Sequence, residues 1–191
     1  MNKAVFIDRD GTLIKDVPYN TNISLIEFLP GVIEALSLFK KNNYLLVLIT
    51  NQSGIAKGFF TVDELTVLHD ALQQMLMKHE IKLDGIYYCP HHPDGFIEQY
   101  TIECNCRKPK PGLILRAVED LDIDVSISWM IGDILNDVEA GKSAGCKTIL
   151  LNNGNETEWI ISENRTPDFT LQNWDEIAAT IIANENVVLN D

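Results

Sequence analysis

Two aspartates two residues apart, in the run Ile7-Asp8-Arg9-Asp10-Gly11-Thr12, are the first residues with a chemical signature. Carboxylates at i and i+2 just past a strand can converge on one point, and Gly11 lets the chain turn sharply behind them. Such neighbours resist joint ionisation unless a cation sits between them or one keeps its proton. Both outcomes suit phosphoryl transfer, with one aspartate as nucleophile beside Mg²⁺ and the other passing a proton. A bare Asp-x-Asp is more often a solvated turn, so its companions carry the weight. Thr50-Asn51-Gln52-Ser53-Gly54 offers a hydroxyl and open backbone amides to an anion, or a plain turn into a helix. Gly132-Asp133-Ile134-Leu135-Asn136-Asp137 adds a further carboxylate after a close-approach glycine, with an Asx turn or helix cap as its ordinary alternative.

A second constellation occupies about residues 89–111. Cys89-Pro90-His91-His92 and Cys104-Asn105-Cys106 supply three thiols and an imidazole, the donor set of a closed tetrahedral Zn²⁺ site. Soft thiolates argue against Mg²⁺ there, and four protein ligands leave no open position for catalysis, so the zinc is structural. On spacing alone either His91 or His92 could reach. Arg107-Lys108-Pro109-Lys110 follows directly and places three cations in four residues. A charge run is usually a solvated face. Here it follows a rigid loop and precedes a helix, so phosphate contact is the stronger reading.

The elements that must position these groups alternate. Apolar runs at 4–7, 44–50, 85–89, 128–131 and 147–151 suit parallel strands covered on both faces. Helical patterns fall at 31–42, 62–80, 112–121 and 136–144, with a weaker one from 173 to about 184; Thr61-Val62-Asp63-Glu64 opens the second as a capping box. The alternation implies an α/β fold, a doubly wound, Rossmann-like parallel sheet that binds ligands beyond the carboxyl ends of its strands. The chemistry-bearing residues follow those strands.

The whole chain, 1–191, is expected to form one domain, and 46% apolar against 23% charged residues excludes wholesale disorder. With 28 acidic and 15 basic residues the net charge is −13, which excludes non-specific nucleic-acid binding. No apolar run reaches the roughly 18 residues of a membrane helix, and the N-terminus is charged too early for a signal peptide. A cytoplasmic protein with no membrane or nucleic-acid partner is expected, in a reducing compartment where grouped cysteines favour metal over disulfides. Cys146 reads as a small core residue, and His69 and His79 as surface or satisfied helix residues.

Over about residues 3–151 these motifs, in this order, resemble the haloacid-dehalogenase-type phosphohydrolases. The resemblance implies Asp8 as nucleophile forming an aspartyl-phosphate, Asp10 as general acid then base, and Thr50 hydrogen-bonding the phosphoryl group. It implies Mg²⁺ on Asp133, the Asp8 carboxylate and the Asp10 backbone carbonyl. Asp137 either stands behind those ligands or caps the following helix. The Cys-x-His…Cys-x-Cys insert before Arg-Lys-Pro-Lys-Pro is similar to one branch of that superfamily, the heptose-bisphosphate and histidinol-phosphate phosphatases. The twelve residues between His91 and Cys104 resemble the heptose enzymes. By that resemblance Cys89, His91, Cys104 and Cys106 bind Zn²⁺, Arg107 recognises substrate, and Lys108 stabilises the phosphoryl group. Asp16, Tyr19, Asn51, Gln52 and Ser53 join Thr50 in substrate contact, and the core carries no large cap domain.

The implied activity is removal of the C7 phosphate from a heptose 1,7-bisphosphate, on the route to nucleotide-activated heptose and lipopolysaccharide, by an expected monomer. Ile134 departs from the branch, whose heptose enzymes often have lysine there. Histidinol phosphate or another small sugar phosphate is the alternative substrate. A phosphotransferase, or a non-catalytic zinc-bearing binding protein, is the alternative in kind; retention of Asp8, Asp10, Thr50, Lys108 and Asp133 weighs against the latter.

Overall fold

Strands arise where apolar side chains run unbroken for four or more residues. In the computed structural model, which describes residues 1–188, they are β1 (Lys3–Ile7), β2 (Tyr44–Asn51), β3 (Gly85–Cys89), β4 (Trp129–Gly132) and β5 (Lys147–Leu151). A sixth, β6 (Phe169–Leu171), joins them in one parallel sheet of order β3-β2-β1-β4-β5-β6. Residues 189–191 of the expected domain lie outside the described residues.

Both sheet faces are covered, which is why the strands read as continuous rather than alternating patterns. Val5 and Ile7 of β1, with Leu46 and Leu48 of β2, pack under α1 (Val32–Lys41), α2 (Val62–Met77) and α5 (Trp174–Val188). Ala4, Phe6, Val47 and Ile49 face the opposite layer, α3 (Gly112–Leu121) and α4 (Leu135–Ala144). Each fully buried Leu or Ile contributes about 1.5–3 kcal/mol, so the four central strand residues on either face lock the sheet between its layers.

Chain order reverses beside β1. The path steps outward through β2 to β3, and α3 then returns it to β4 on the other side of β1. Asp8 and Asp133 therefore follow adjacent strands at the point of reversal, where the Asp8 amide donates to the Ile131 carbonyl at 3.0 Å. A crevice opens at such a point because neighbouring connections diverge to opposite faces. Among the described residues the excursions over this end are loops, with no folded cap between the motifs. No helix among them is long and apolar enough to cross a membrane.

α2, α5 and β6 differ from the pattern-based expectation, α5 running to Val188 rather than about 184. α2 stops at Met77 rather than 80, because Glu80 takes a left-handed φ of 61° and the Ile81 amide turns back to the Leu76 carbonyl at 3.2 Å. That is a Schellman closure, which the sequence hides for want of a glycine. β6 escaped notice because three residues at a sheet edge hold too little pattern for either period. At the other end of α2 the capping box is complete: Thr61 Oγ1 accepts from the Glu64 amide at 3.2 Å, and Glu64 Oε2 accepts from the Thr61 amide at 2.7 Å. Thr61→Ala should cost about 1 kcal/mol and lower Tm by about 2–4 °C in a thermal melt.

Candidate active site

The structure brings Asp8, Lys108 and Asp137 into one buried contact. Lys108 is 3% exposed, and its Nζ lies 2.5 Å from Asp8 Oδ1, 2.6 Å from Asp137 Oδ1 and 2.9 Å from the Ile49 carbonyl. The approach of Asp137 Oδ1 is a charge contact outside hydrogen-bond directions, while its Oδ2 accepts from the Ile134 amide at 3.3 Å at the start of α4. Asp137 thus both caps that helix and faces the site. Gly132 makes room for it, since a side chain there would strike the Asp137 carboxylate. Burial works against the Lys108 charge, but Asp137 and Asp8 overcome it and hold the ammonium above its ordinary pKa. Burial pushes the Asp8 carboxyl well above its usual range despite Lys108, with Asp137, Asp133 and Asp10 adding to the rise.

Asp10 sits in a different network. Arg9 grips its carboxylate through Nε at 3.0 Å and Nη2 at 2.8 Å, and Gln52 Nε2 donates to it at 3.0 Å. Gln52 also donates to Thr50 Oγ1 at 2.8 Å, tying the end of β2 to the end of β1. Behind Arg9, His69 Nε2 lies 3.1 Å from Nη1. Burial, then the Arg9 charge, pushes His69 down to about 3. The ring is neutral and accepts from Arg9, so its proton is on Nδ1.

Asp133 is held from two sides: Thr12 Oγ1 donates to Oδ1 at 3.2 Å and Asn155 Nδ2 to Oδ2 at 2.6 Å. Burial first, then Asp137, pushes its pKa up to about 6, against the Asn155 hydrogen bond. Oxygens of Asp8, Asp133 and Asp137 lie within 4.8 Å of one another. Three buried carboxylates face one ammonium, which leaves two negative charges uncompensated. A divalent cation with oxygen ligands fits that deficit in charge and chemistry. The surrounding cavity of about 290 Å³ is lined by Asp10, Asp16, Thr50, Asn51, Ile134 and Asn155 besides these four.

The second cluster gathers Cys89, His91, Cys104 and Cys106. Cys106 Sγ lies 3.2 Å from Cys89 Sγ and 3.3 Å from Cys104 Sγ, Cys89 and Cys104 are 3.5 Å apart, and His91 Nδ1 is 3.3 Å from Cys106. Disulfide sulfurs would be about 2.05 Å apart; these distances suit donors around a shared ion. The hydrogen bond from Cys89 chiefly pulls Cys106 down to about 5, while Cys89 is pushed up. His92 stays outside, its Nδ1 accepting from the Asp94 amide at 3.1 Å.

Other sequence-derived candidates fall elsewhere. Asn51 lines the cavity, but its amide spans the Lys108 backbone, Nδ2 to the carbonyl at 3.0 Å and Oδ1 from the amide at 3.0 Å. Gln52 is buried as the bridge described, and neither it nor Ser53 lines the cavity. Tyr19 lies outside the lining, its ring 4.5 Å from Phe59 and its hydroxyl accepting from Lys57 at 2.8 Å. Arg107 reaches back to the His91 carbonyl at 3.5 Å. The sequence reading missed Asn153, Asn155 and the buried Arg9. An Asn-Asn-Gly-Asn run directly after a strand was the available signal for the first two.

A HAD-hydrolase-like family model matches residues 105–177. The D-glycero-beta-D-manno-heptose-1,7-bisphosphate 7-phosphatase of Pasteurella multocida (strain Pm70) is 49% identical over 155 residues, 81% of this chain and 84% of that protein. The chain belongs to this family of HAD-like phosphatases. Among solved structures, a putative HAD-like phosphatase from Mesorhizobium loti superposes with a TM-score of 0.83 at 28% identity, covering 94% of this chain and 86% of that one. A D,D-heptose 1,7-bisphosphate phosphatase from B. bronchiseptica, complexed with magnesium and phosphate, gives 0.77 at 28% identity, covering 95% and 99%. In this HAD-like phosphatase the crevice at the chain reversal, where the buried carboxylates and Lys108 meet, is the candidate reaction site.

Two consequences are measurable. A carboxyl whose pKa rises on folding stabilises the metal-free protein at low pH, and that contribution is lost as pH rises through the folded value, about 6 for Asp133. Mg²⁺ should therefore raise Tm more at about pH 7.5 than at about pH 5, and Asp133→Asn should flatten the difference in paired scans. Cys104→Ser should lose zinc by elemental analysis and, through the short link from Cys106 to Lys108, lower turnover as well; full metal content would refute the ligand set.

Proposed function

We propose that the chain hydrolyses the 7-phosphate of D-glycero-β-D-manno-heptose 1,7-bisphosphate through an aspartyl-phosphate on Asp8. The observation that carries the chemistry is the buried Asp8–Lys108 pair at the chain reversal, 2.5 Å apart and flanked by Asp133 and Asp137. The sugar follows from the relatives' names, and the β configuration from those names alone.

An Asp8 oxygen attacks phosphorus while Lys108 offsets charge on the phosphoryl oxygens. Asp10 protonates the departing sugar oxygen, then takes a proton from the water that releases phosphate from Asp8. Thr50, buried in the cavity lining, hydrogen-bonds the transferring group. Mg²⁺ held by Asp8, Asp133 and the Asp10 carbonyl would supply several kcal/mol of charge stabilisation. Zn²⁺ on Cys89, His91, Cys104 and Cys106 braces the segment that delivers Arg107 and Lys108, and those thiols support a reducing, cytoplasmic setting. One unit of a single chain contributes every residue invoked, which supports a monomer.

The test compares kcat/KM with Mg²⁺ for the α and β heptose bisphosphates and for histidinol phosphate. A preference for the β heptose of a hundredfold or more, about 2.7 kcal/mol, is expected. Asp8→Asn should abolish turnover with the fold retained. Equal weak rates on all three substrates would overturn the sugar assignment and turn attention to Ile134, the apolar residue lining the cavity.

A further inference from the structure

The segment that follows β5 is pinned across the mouth of the cavity. Asn153 Nδ2 donates to the Gly11 carbonyl at 2.6 Å, behind Asp8 and Asp10. Glu156 Oε2 accepts from the Leu135 amide at 2.7 Å, at the first turn of α4. The segment is therefore fastened to both walls of the crevice. Between these anchors the Asn155 backbone N–H donates to Asn153 Oδ1 at 3.2 Å, and its side-chain Nδ2 donates inward to Asp133 Oδ2 at 2.6 Å.

Two features make that contact more than a surface hydrogen bond. Asp133 is buried while Asn155 is exposed, and both line the cavity, so the hydrogen bond ties a buried carboxylate to the exposed segment. The contact also needs Gly11, where a side chain would strike both Asp133 Oδ2 and Asn155 Nδ2. With Thr12 on Oδ1 and Asn155 on Oδ2, the plane of the Asp133 carboxylate is fixed, and each oxygen keeps a further lone pair.

We propose that Asn155 is a positioning residue for the cation site, holding the Asp133 carboxylate in the orientation that receives a divalent metal. The inference rests on the proposed function's reading of Asp8 and Asp133 as metal ligands. Asn155 is neutral, so its removal leaves the formal charge of the side chains unchanged and takes away only the donor on Asp133 Oδ2. Hydrogen-bond partners of ligating groups commonly contribute 10–100-fold to metal affinity.

The experiment titrates Mn²⁺, a paramagnetic substitute for Mg²⁺, into the zinc-loaded full chain at about pH 7.5, following free Mn²⁺ by electron paramagnetic resonance. Asn155→Leu keeps the size without the donor, and Asn155→Ala is the second variant. Both should weaken Mn²⁺ binding about tenfold or more. Thr157→Ala, in the same exposed segment, should bind as the wild type does. Wild-type affinity in the two Asn155 variants would overturn the positioning role. An equal loss in Thr157→Ala would also overturn it, by showing general loosening of the segment. Failure of the wild type to take up Mn²⁺ would overturn the metal reading beneath it, a separate result.

Discussion

An ammonium group buried between two carboxylates is costly to assemble and costly to disturb. Lys108 loses its water, and only the close approach of Asp8, Asp137 and the Ile49 carbonyl keeps it charged. Removing the ammonium itself would leave the buried carboxylates facing one another without compensation, a loss of about 3–5 kcal/mol. The position of this one side chain therefore constrains three strand ends at once: β1 through Asp8, β2 through Ile49, and the β4–α4 turn through Asp137. Much of what surrounds the crevice reads as support for that arrangement.

The support comes from the thiol loop and from the ends of β2 and β3. Lys108 stands two residues beyond Cys106, so the thiol cluster fixes the chain just before it. The Asn51 side chain fixes its peptide from β2, and the Gln52 amide donates to the Cys89 carbonyl at 2.7 Å, joining the first cysteine to the same turn. A loop without an apolar core of its own thus acquires two points of attachment to the reaction site. On the proposed function, zinc is the brace that keeps those attachments in register.

Residues whose chemistry depends on type alone were legible in the sequence. Asp8, Asp133 and the cysteines stand at strand ends or in tight spacing, and periodicity located β1, β2, β3 and β5 to within a residue. Arg9 was not legible: an arginine between two aspartates reads as surface charge, and its burial against His69 arises from α2 packing across the sheet end. Asn51, Gln52 and Ser53 could be read only as a group near an anion; their division into backbone clamp, bridge and bystander depends on contacts with Lys108 and Asp10 distant in sequence. Asn155 was hidden for the same reason, since its partner lies 22 residues earlier.

Five carboxylates line the cavity while Lys108 supplies its cationic charge, on a protein whose net charge is already −13. Such a crevice repels a doubly phosphorylated sugar. On the proposed function, that repulsion favours an order of arrival in which a divalent ion would come first and the anionic substrate would meet a weakened negative field. The same asymmetry bears on departure, because the carboxylates that repel the incoming anion equally repel the phosphate once it is free of Asp8.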